Sequence, residues 1–271
     1  MGQNSKIEWT HHTFNPWWGC VKIAPECANC YAATFSHRLG KDLWGPDSAR
    51  QVASEKGWKE PIKWNASAVK RGVRERVFCA SMADVFESNE QTGAARERLW
   101  KLIEATPQLD WLLLTKRPEN ILGMIPSAWM SAPRANVWFG TSAGCQATAD
   151  KNIPALLKVP ASVLFVSAEP LLGPVDFRRF DFPDGTGAYL PRERKMPGID
   201  WIIVGGESGP GARPMNVNWA RSIQKQCEAA AVAFHFKQWG EHDQTGARVG
   251  KHEAGRLLDG REYNEFPVPR V

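Results

Sequence analysis

Six short apolar runs limit what this chain can fold into. They are VFCASMAD (77–84), WLLLTKRP (111–118), NVWFGTSAG (136–144), VLFVSAEP (163–170), WIIVGGESG (201–209) and VAFHFKQWG (232–240). Each opens with about four to six residues rich in Val, Ile, Leu, Phe or Trp and ends in small or polar ones. Hydrophobicity that is continuous rather than alternating predicts strands covered on both faces, as in parallel sheets.

Amphipathic stretches separate several of the runs. TGAARERLWKLIEA (92–105) puts Ala95, Leu99, Leu102 and Ile103 on one helical face. ATADKNIPALLKV (147–159), interrupted by Pro154, and NWARSIQKQCEAA (218–230) read as two more helices. Strands alternating with helices make right-handed βαβ units. The opening IEWTHHTFNPWWGC predicts one further strand, and CANCYAATFSHRL a helix stopped at Gly40. Six to seven parallel strands fall short of the eight that close a barrel. The fold class expected is therefore α/β, a partial (β/α) barrel over residues 1–240; a doubly wound open sheet is the alternative.

Three segments interrupt the rhythm. Residues 173–198 are rich in Pro, Gly, Arg and Asp, and read as an insertion. Residues 41–75 form another, with Trp44, Trp58 and Trp64 among Lys56, Lys59, Lys63, Lys70, Arg71 and Arg74. Those tryptophans either pack on the barrel or present a stacking face to nucleic acid. The segment 241–271 is a C-terminal extension, in which Asp259-Gly260 signals a hairpin.

With 43% apolar and 23% charged residues, the composition is globular. No run reaches the roughly 20 apolar residues of a membrane span. The start, MGQNSKIEWTHH, lacks an apolar signal core, and Lys6 breaks a myristoylation pattern. A cytoplasmic, membrane-free protein is expected. A net charge of +5 permits contact with nucleic acid without requiring it.

In such a reducing compartment, clustered cysteines suit metal better than disulfides. Three of the six cysteines fall in NPWWGCVKIAPECANCYA (15–32), spaced Cys20-x6-Cys27-x2-Cys30. If Cys27 and Cys30 open a helix, both thiols point the same way, and the loop after Gly19 can fold Cys20 beside them. Three thiolates can hold a [4Fe–4S] cluster with one iron left open, or zinc with a histidine from His11, His12 or His37. Unrelated thiols or a redox pair are the remaining alternative. Cys79 and Cys227 read as buried hydrophobes.

In β/α barrels reactive groups collect at the C-terminal ends of strands. That rule selects Ser81 and Asp84, Lys116 and Arg117, Thr141 and Ser142, Glu169, Gly205, Gly206, Glu207, Ser208, Lys237 and Gln238. The mixture suits a zwitterionic amino acid joined to a ribose. A buried ion pair such as Lys116 with Glu169 is the structural alternative.

The cysteine segment, with TKRP, SAEPLLGP and GGESGPGARPM, resembles the phage-associated three-Cys-motif proteins over residues 7–265. These are described as radical-SAM-like and have no assigned reaction. The resemblance implies a [4Fe–4S] cluster on Cys20, Cys27 and Cys30. It implies S-adenosylmethionine at the open iron, cleaved to a 5′-deoxyadenosyl radical. The usual radical SAM spacing, C-x3-C-x2-C, is here C-x6-C-x2-C. Asn29 takes the place of the aromatic residue before the third cysteine, and Tyr31 follows; both become candidate cofactor contacts. The phage association, together with the basic Trp-rich insertion, points to a nucleic acid or nucleotide substrate, and the resemblance implies a dedicated partner protein encoded nearby. A non-catalytic iron–sulfur protein that binds DNA or a partner is the alternative.

Overall fold

The computed structural model describes residues 2–178, 190 and 198–270. Most of the expected 173–198 insertion therefore lies outside the described residues. The chain begins with β1 (Gly2–Gln3), β2 (His12–Thr13), β3 (Trp17–Trp18), α1 (Tyr31–Arg38), β4 (Gln51–Val52) and α2 (Glu55–Arg71). Next come β5 (Glu75–Cys79), α3 (Gly93–Glu104), β6 (Leu109–Thr115), α4 (Ile121–Met124), α5 (Ser127–Ser131), β7 (Val137–Ser142) and α6 (Gln146–Leu156). The last elements are β8 (Val163–Ala168), β9 (Trp201–Gly205), α7 (Val217–Ala230), β10 (Ala233–Gln238) and α8 (Lys251–Ala254).

One sheet dominates, in the order β1-β2-β5-β6-β7-β8-β9-β10. Seven of these strands, β2 and β5 to β10, run parallel; β1 is antiparallel to β2. The sheet curls, because side chains of non-neighbouring strands meet inside it. The ring centroids of Trp138 on β7 and Trp201 on β9 are 6.2 Å apart. Trp9, just before β2, reaches Trp201 at 6.3 Å. The curl stops short of closure: β1 and β10 are both edges. This is the partial (β/α) barrel expected from the runs.

Strand parity divides the core. Phe78, Leu112, Trp138, Phe165, Trp201 and Ile203 point inward and fill the barrel. Val77, Trp111, Phe139, Val166 and Ile202 point outward. There they meet Leu99 and Ile103 of α3, Ile153 and Leu156 of α6, and Ile223 and Cys227 of α7. Burying each such side chain contributes roughly 1.5–3 kcal/mol relative to leaving it exposed. Gly140 is an inward position with no room for a side chain: a Cβ there would sit 2.3 Å from Cζ of Phe165.

The open side is covered by the C-terminal segment. Phe236 N–H donates to Tyr263 O (3.0 Å), and the Phe266 ring packs at a tilt against Trp201 and His235. The Arg76 guanidinium of β5 lies 3.7 Å above the Phe266 ring. Asp259 and Gly260 both take positive φ (52° and 76°), and Leu258 and Arg261 exchange backbone hydrogen bonds across them. This is the turn that Asp259-Gly260 predicts.

The 41–75 segment is chiefly helix α2, whose N-cap Ser54 accepts from Gly57 N–H at 3.3 Å. Trp58 and Trp64 are only 3% exposed; Trp64 stacks on His12 at 4.4 Å and Trp58 meets Phe14 edge-on. Of the two readings for these residues, packing holds. The first strand is shorter than IEWTHHTF suggests, since only His12 and Thr13 pair with β5. Among the described residues no helix is long and apolar enough to cross a membrane.

Candidate functional site

The C-terminal ends of the parallel strands open into a cavity of about 370 Å³. Its floor is apolar, formed by inward-pointing Trp9, Phe78 and Leu114. Cys20, Cys27 and Cys30 all line one wall. The segment that carries them is not one helix. Pro25 starts a separate 3-10 turn ending at Cys27, and α1 begins at Tyr31 with Cys30 as its N-cap. The expected stacking of Cys27 and Cys30 on one helical face is thus replaced by a turn, Cys30 N–H donating to Cys27 O at 3.3 Å.

Two buried ion pairs pin the loop of Cys20. Arg50 donates through Nε and Nη2 to Glu87 (2.8 and 2.9 Å) and holds Gly45 O and Ser48 O. Glu87 in turn accepts from Val21 N–H at 3.0 Å. Arg117 donates to Asp84 Oδ2 at 3.0 Å and to Val21 O at 2.9 Å, with Nη1 3.7 Å from Cys20 Sγ. Burial, and then the Asp84 carboxylate, push the Cys20 thiol up to about 12 against the pull of Arg117. A buried thiol of this kind ionises readily only when a cation takes the proton's place.

All six cysteines are free. As the side chains stand, no three His, Cys, Asp or Glu among the described residues are close enough to hold a metal ion. Cys20 Sγ instead donates to Val21 O at 3.4 Å. Gathering the three thiols requires them to turn about their single χ1 torsions. The donor set itself fits a three-cysteine cluster, because among the described residues neither a histidine nor a fourth cysteine lines the cavity. His12 bonds Glu75 at 3.1 Å and His11 accepts from Arg76 N–H, both away from the thiols; His37 lines a neighbouring groove.

The expected strand-end residues divide by geometry. Asn29, Tyr31, Ser81, Asp84, Lys116, Ser142, Glu169, Gly206 and Glu207 line the cavity. Thr141, Gly205 and Gln238 do not. Thr141 has the opposite parity to Ser142, and its hydroxyl donates to Thr115 O at 3.0 Å. Gly205 is covered by the Glu169 side chain. Gln238, which follows a bulge in β10, is buried and donates to Gly206 O at 3.0 Å.

Several lining groups are already engaged. Asp84 accepts from Thr115 Oγ1 (2.6 Å), Lys116 N–H (3.0 Å) and Phe86 N–H (3.0 Å) besides Arg117. Ser81 bonds Asn15, and Tyr31 OH donates to Ser81 O at 2.8 Å. Glu207 takes Arg213 through N–H, Nε and Nη2 (2.9, 2.8 and 2.6 Å) and Asn29 Nδ2 (3.1 Å). Burial alone raises Glu207, yet the Arg213 hydrogen bonds outweigh it and hold the carboxyl below its ordinary range. Arg213 also donates to Pro25 O, so the GGESGPGARP turn clamps the cysteine loop. Gly206 is required there: a Cβ would lie 1.8 Å from Trp239 O. Glu169 pairs with Lys237 at 2.5 Å rather than with Lys116.

Among the described residues, three cavity-lining groups remain incompletely satisfied, Trp9 Nε1 being the first. Ser142 Oγ has no partner. Glu26, which the strand-end rule passes over, lines the cavity and uses Oε1 to accept from Gly144 N–H (2.7 Å) and Thr148 Oγ1 (2.6 Å). Its Oε2 is buried without a partner. The available signal was its position, an acid between two cysteines of one motif.

No curated protein matches the chain. Among solved structures it is similar to spore photoproduct lyases. A single-residue variant gives a TM-score of 0.48 at 14% identity, over 75% of this chain and 58% of that one. A lyase complexed with dinucleoside spore photoproduct gives 0.46 at 13%, over 84% and 64%. A double variant with bound AdoMet and dinucleoside spore photoproduct gives 0.41 at 15%, over 85% and 57%. The chain thus spans less than two thirds of those lyases' length. The family described as "Protein of unknown function (DUF5131)" matches residues 4–267, and the chain belongs to that family.

Proposed function

We propose that this protein is a radical-SAM-like iron–sulfur protein, with a [4Fe–4S] cluster held by Cys20, Cys27 and Cys30 and S-adenosylmethionine at the open iron. The observation that carries this reading is that the three motif cysteines line one cavity at the C-terminal ends of a partial β/α barrel, with no histidine or further cysteine there to complete a zinc site. When bound, such a cluster supplies the electron for reductive cleavage of S-adenosylmethionine. The chain's own residues bind and orient. Ser142 Oγ and Glu26 Oε2, buried and unpartnered, can take a hydroxyl or ammonium proton. Lys237 and Glu169 present both charges to a zwitterion. Trp9 and Phe78 give the apolar floor on which a flat base can lie and from which water is excluded.

The test is anaerobic purification with iron and sulfide analysis, followed by dithionite and S-adenosylmethionine. The expected outcome is a brown protein that forms 5′-deoxyadenosine. Zinc without iron would overturn the cluster assignment. An intact cluster that yields no 5′-deoxyadenosine would leave a non-catalytic iron–sulfur protein.

A further inference from the structure

A shallow groove adjoins the cavity, and Lys22 and Trp44 line both. One wall is α1, which contributes Thr34, His37 and Arg38 to the groove. Next to them around the helix, Phe35 and Leu39 recur at i and i+4. They are 47% and 51% exposed and left bare at the surface, whereas Tyr31, one turn earlier, turns to the cavity and bonds Ser81 O. The Phe35 ring lies 6.0 Å from Trp18, and Lys41 Nζ stands 5.1 Å over the Trp18 ring.

The cations of this surface are not spent on internal pairs. Lys22 and Lys41 donate to neutral groups, Ala28 O at 2.9 Å and Gln51 Oε1 at 2.8 Å. Among the described residues, no carboxylate lies within ion-pair distance of Lys22, Arg38 or Lys41. Asp42 is the single acid lining the groove. Exposed Phe35 and half-buried Trp18 and Trp44 among unpaired cations fit a polyanion that also carries flat apolar faces. A duplex hides those faces and is too wide for the cavity; an acidic peptide supplies charge but no rings to stack.

We propose that this groove seats a single-stranded nucleic acid and feeds one unstacked nucleotide into the cavity. The proposal rests on the reading of the cavity as a catalytic site and adds its substrate class. Phosphates lie against Arg38, Lys41 and Lys22, and bases stack on Phe35 and Trp18. It also narrows the basic aromatic face that the 41–75 segment suggests to its start, Lys41 and Trp44, since Trp58 and Trp64 are consumed by packing.

The test is fluorescence anisotropy on the full chain with a labelled single strand of about 20 nucleotides, across a salt series. Wild type is expected to bind with log K falling linearly in log[salt]. The double variant Arg38→Glu/Lys41→Glu should lose at least tenfold affinity and flatten that slope by roughly one to two. Phe35→Ala should lose roughly fivefold or more with the slope unchanged. Lys22 is left intact because it also lines the cavity. A charge-matched control on α2, Lys56→Glu/Lys59→Glu, should bind as wild type. Equal losses in both double variants would mean diffuse attraction and overturn the proposal. So would duplex binding as tight as single-strand binding, or displacement by polyglutamate with Phe35→Ala silent, the mark of an acidic protein partner. Iron and sulfide are measured on the same preparations. Binding without iron refutes the cluster alone; iron without binding refutes the groove alone.

Discussion

Arg117 shows how much one side chain carries here. It neutralises buried Asp84, holds Val21 O and stands over Cys20. Replacing it with Ala strands a buried carboxylate, which costs about 3–5 kcal/mol, expected as a lowered urea midpoint. The motif TKRP marks Arg117, but its partner Asp84 lies on another strand end, and sequence proximity could not pair them. Gly140→Ala places a methyl against the Phe165 ring and should cost about 1–3 kcal/mol. Shrinking that ring in Phe165→Leu/Gly140→Ala should recover part of the loss, read as non-additivity in a double-mutant cycle.

At the scale of elements, parity decides which of two neighbouring hydroxyls serves the cavity. Thr141 and Ser142 are equivalent as strand-end polar residues, yet one faces the helices and the other the interior. If S-adenosylmethionine binds as proposed, Ser142→Ala should weaken that binding by roughly two- to tenfold in calorimetry of the iron-loaded protein. Thr141→Val should leave affinity unchanged and alter only stability. The helices were legible wherever a 3.6-residue period ran uninterrupted, as in α3 and α7. The cysteine segment was not, because the 3-10 turn opened by Pro25 ends at Cys27 and α1 starts only at Tyr31, a break that no periodicity reveals.

The whole molecule sets the behaviour of His235. Inside the barrel, burial first, then Arg256, Arg76 and Lys237, lower its pKa from 6.5 to about 3. Its ring nitrogens are buried without partners. Unfolding lets the ring take a proton, so between pH 6.5 and about 3 the unfolded state binds more protons and stability falls as pH falls. His235→Phe should flatten that limb of a denaturation series run against pH. If the cluster binds as proposed, chelating its iron should lower the thermal midpoint, because a ligand that binds only the folded chain stabilises it by mass action.

By itself the sequence determined the parallel strands, the helices that cover them and the three cysteines, because each is written in contiguous residues: a continuous apolar run, a helical period, a close spacing of thiols. Only the tertiary structure decided that Phe266 fills the open side of the sheet. It alone paired Glu169 with Lys237 and brought Glu26 to the cavity. It also used Trp58 and Trp64 in packing, leaving Phe35 bare on α1. These depend on which distant residues the curl of the sheet brings face to face, and no local pattern encodes that curl.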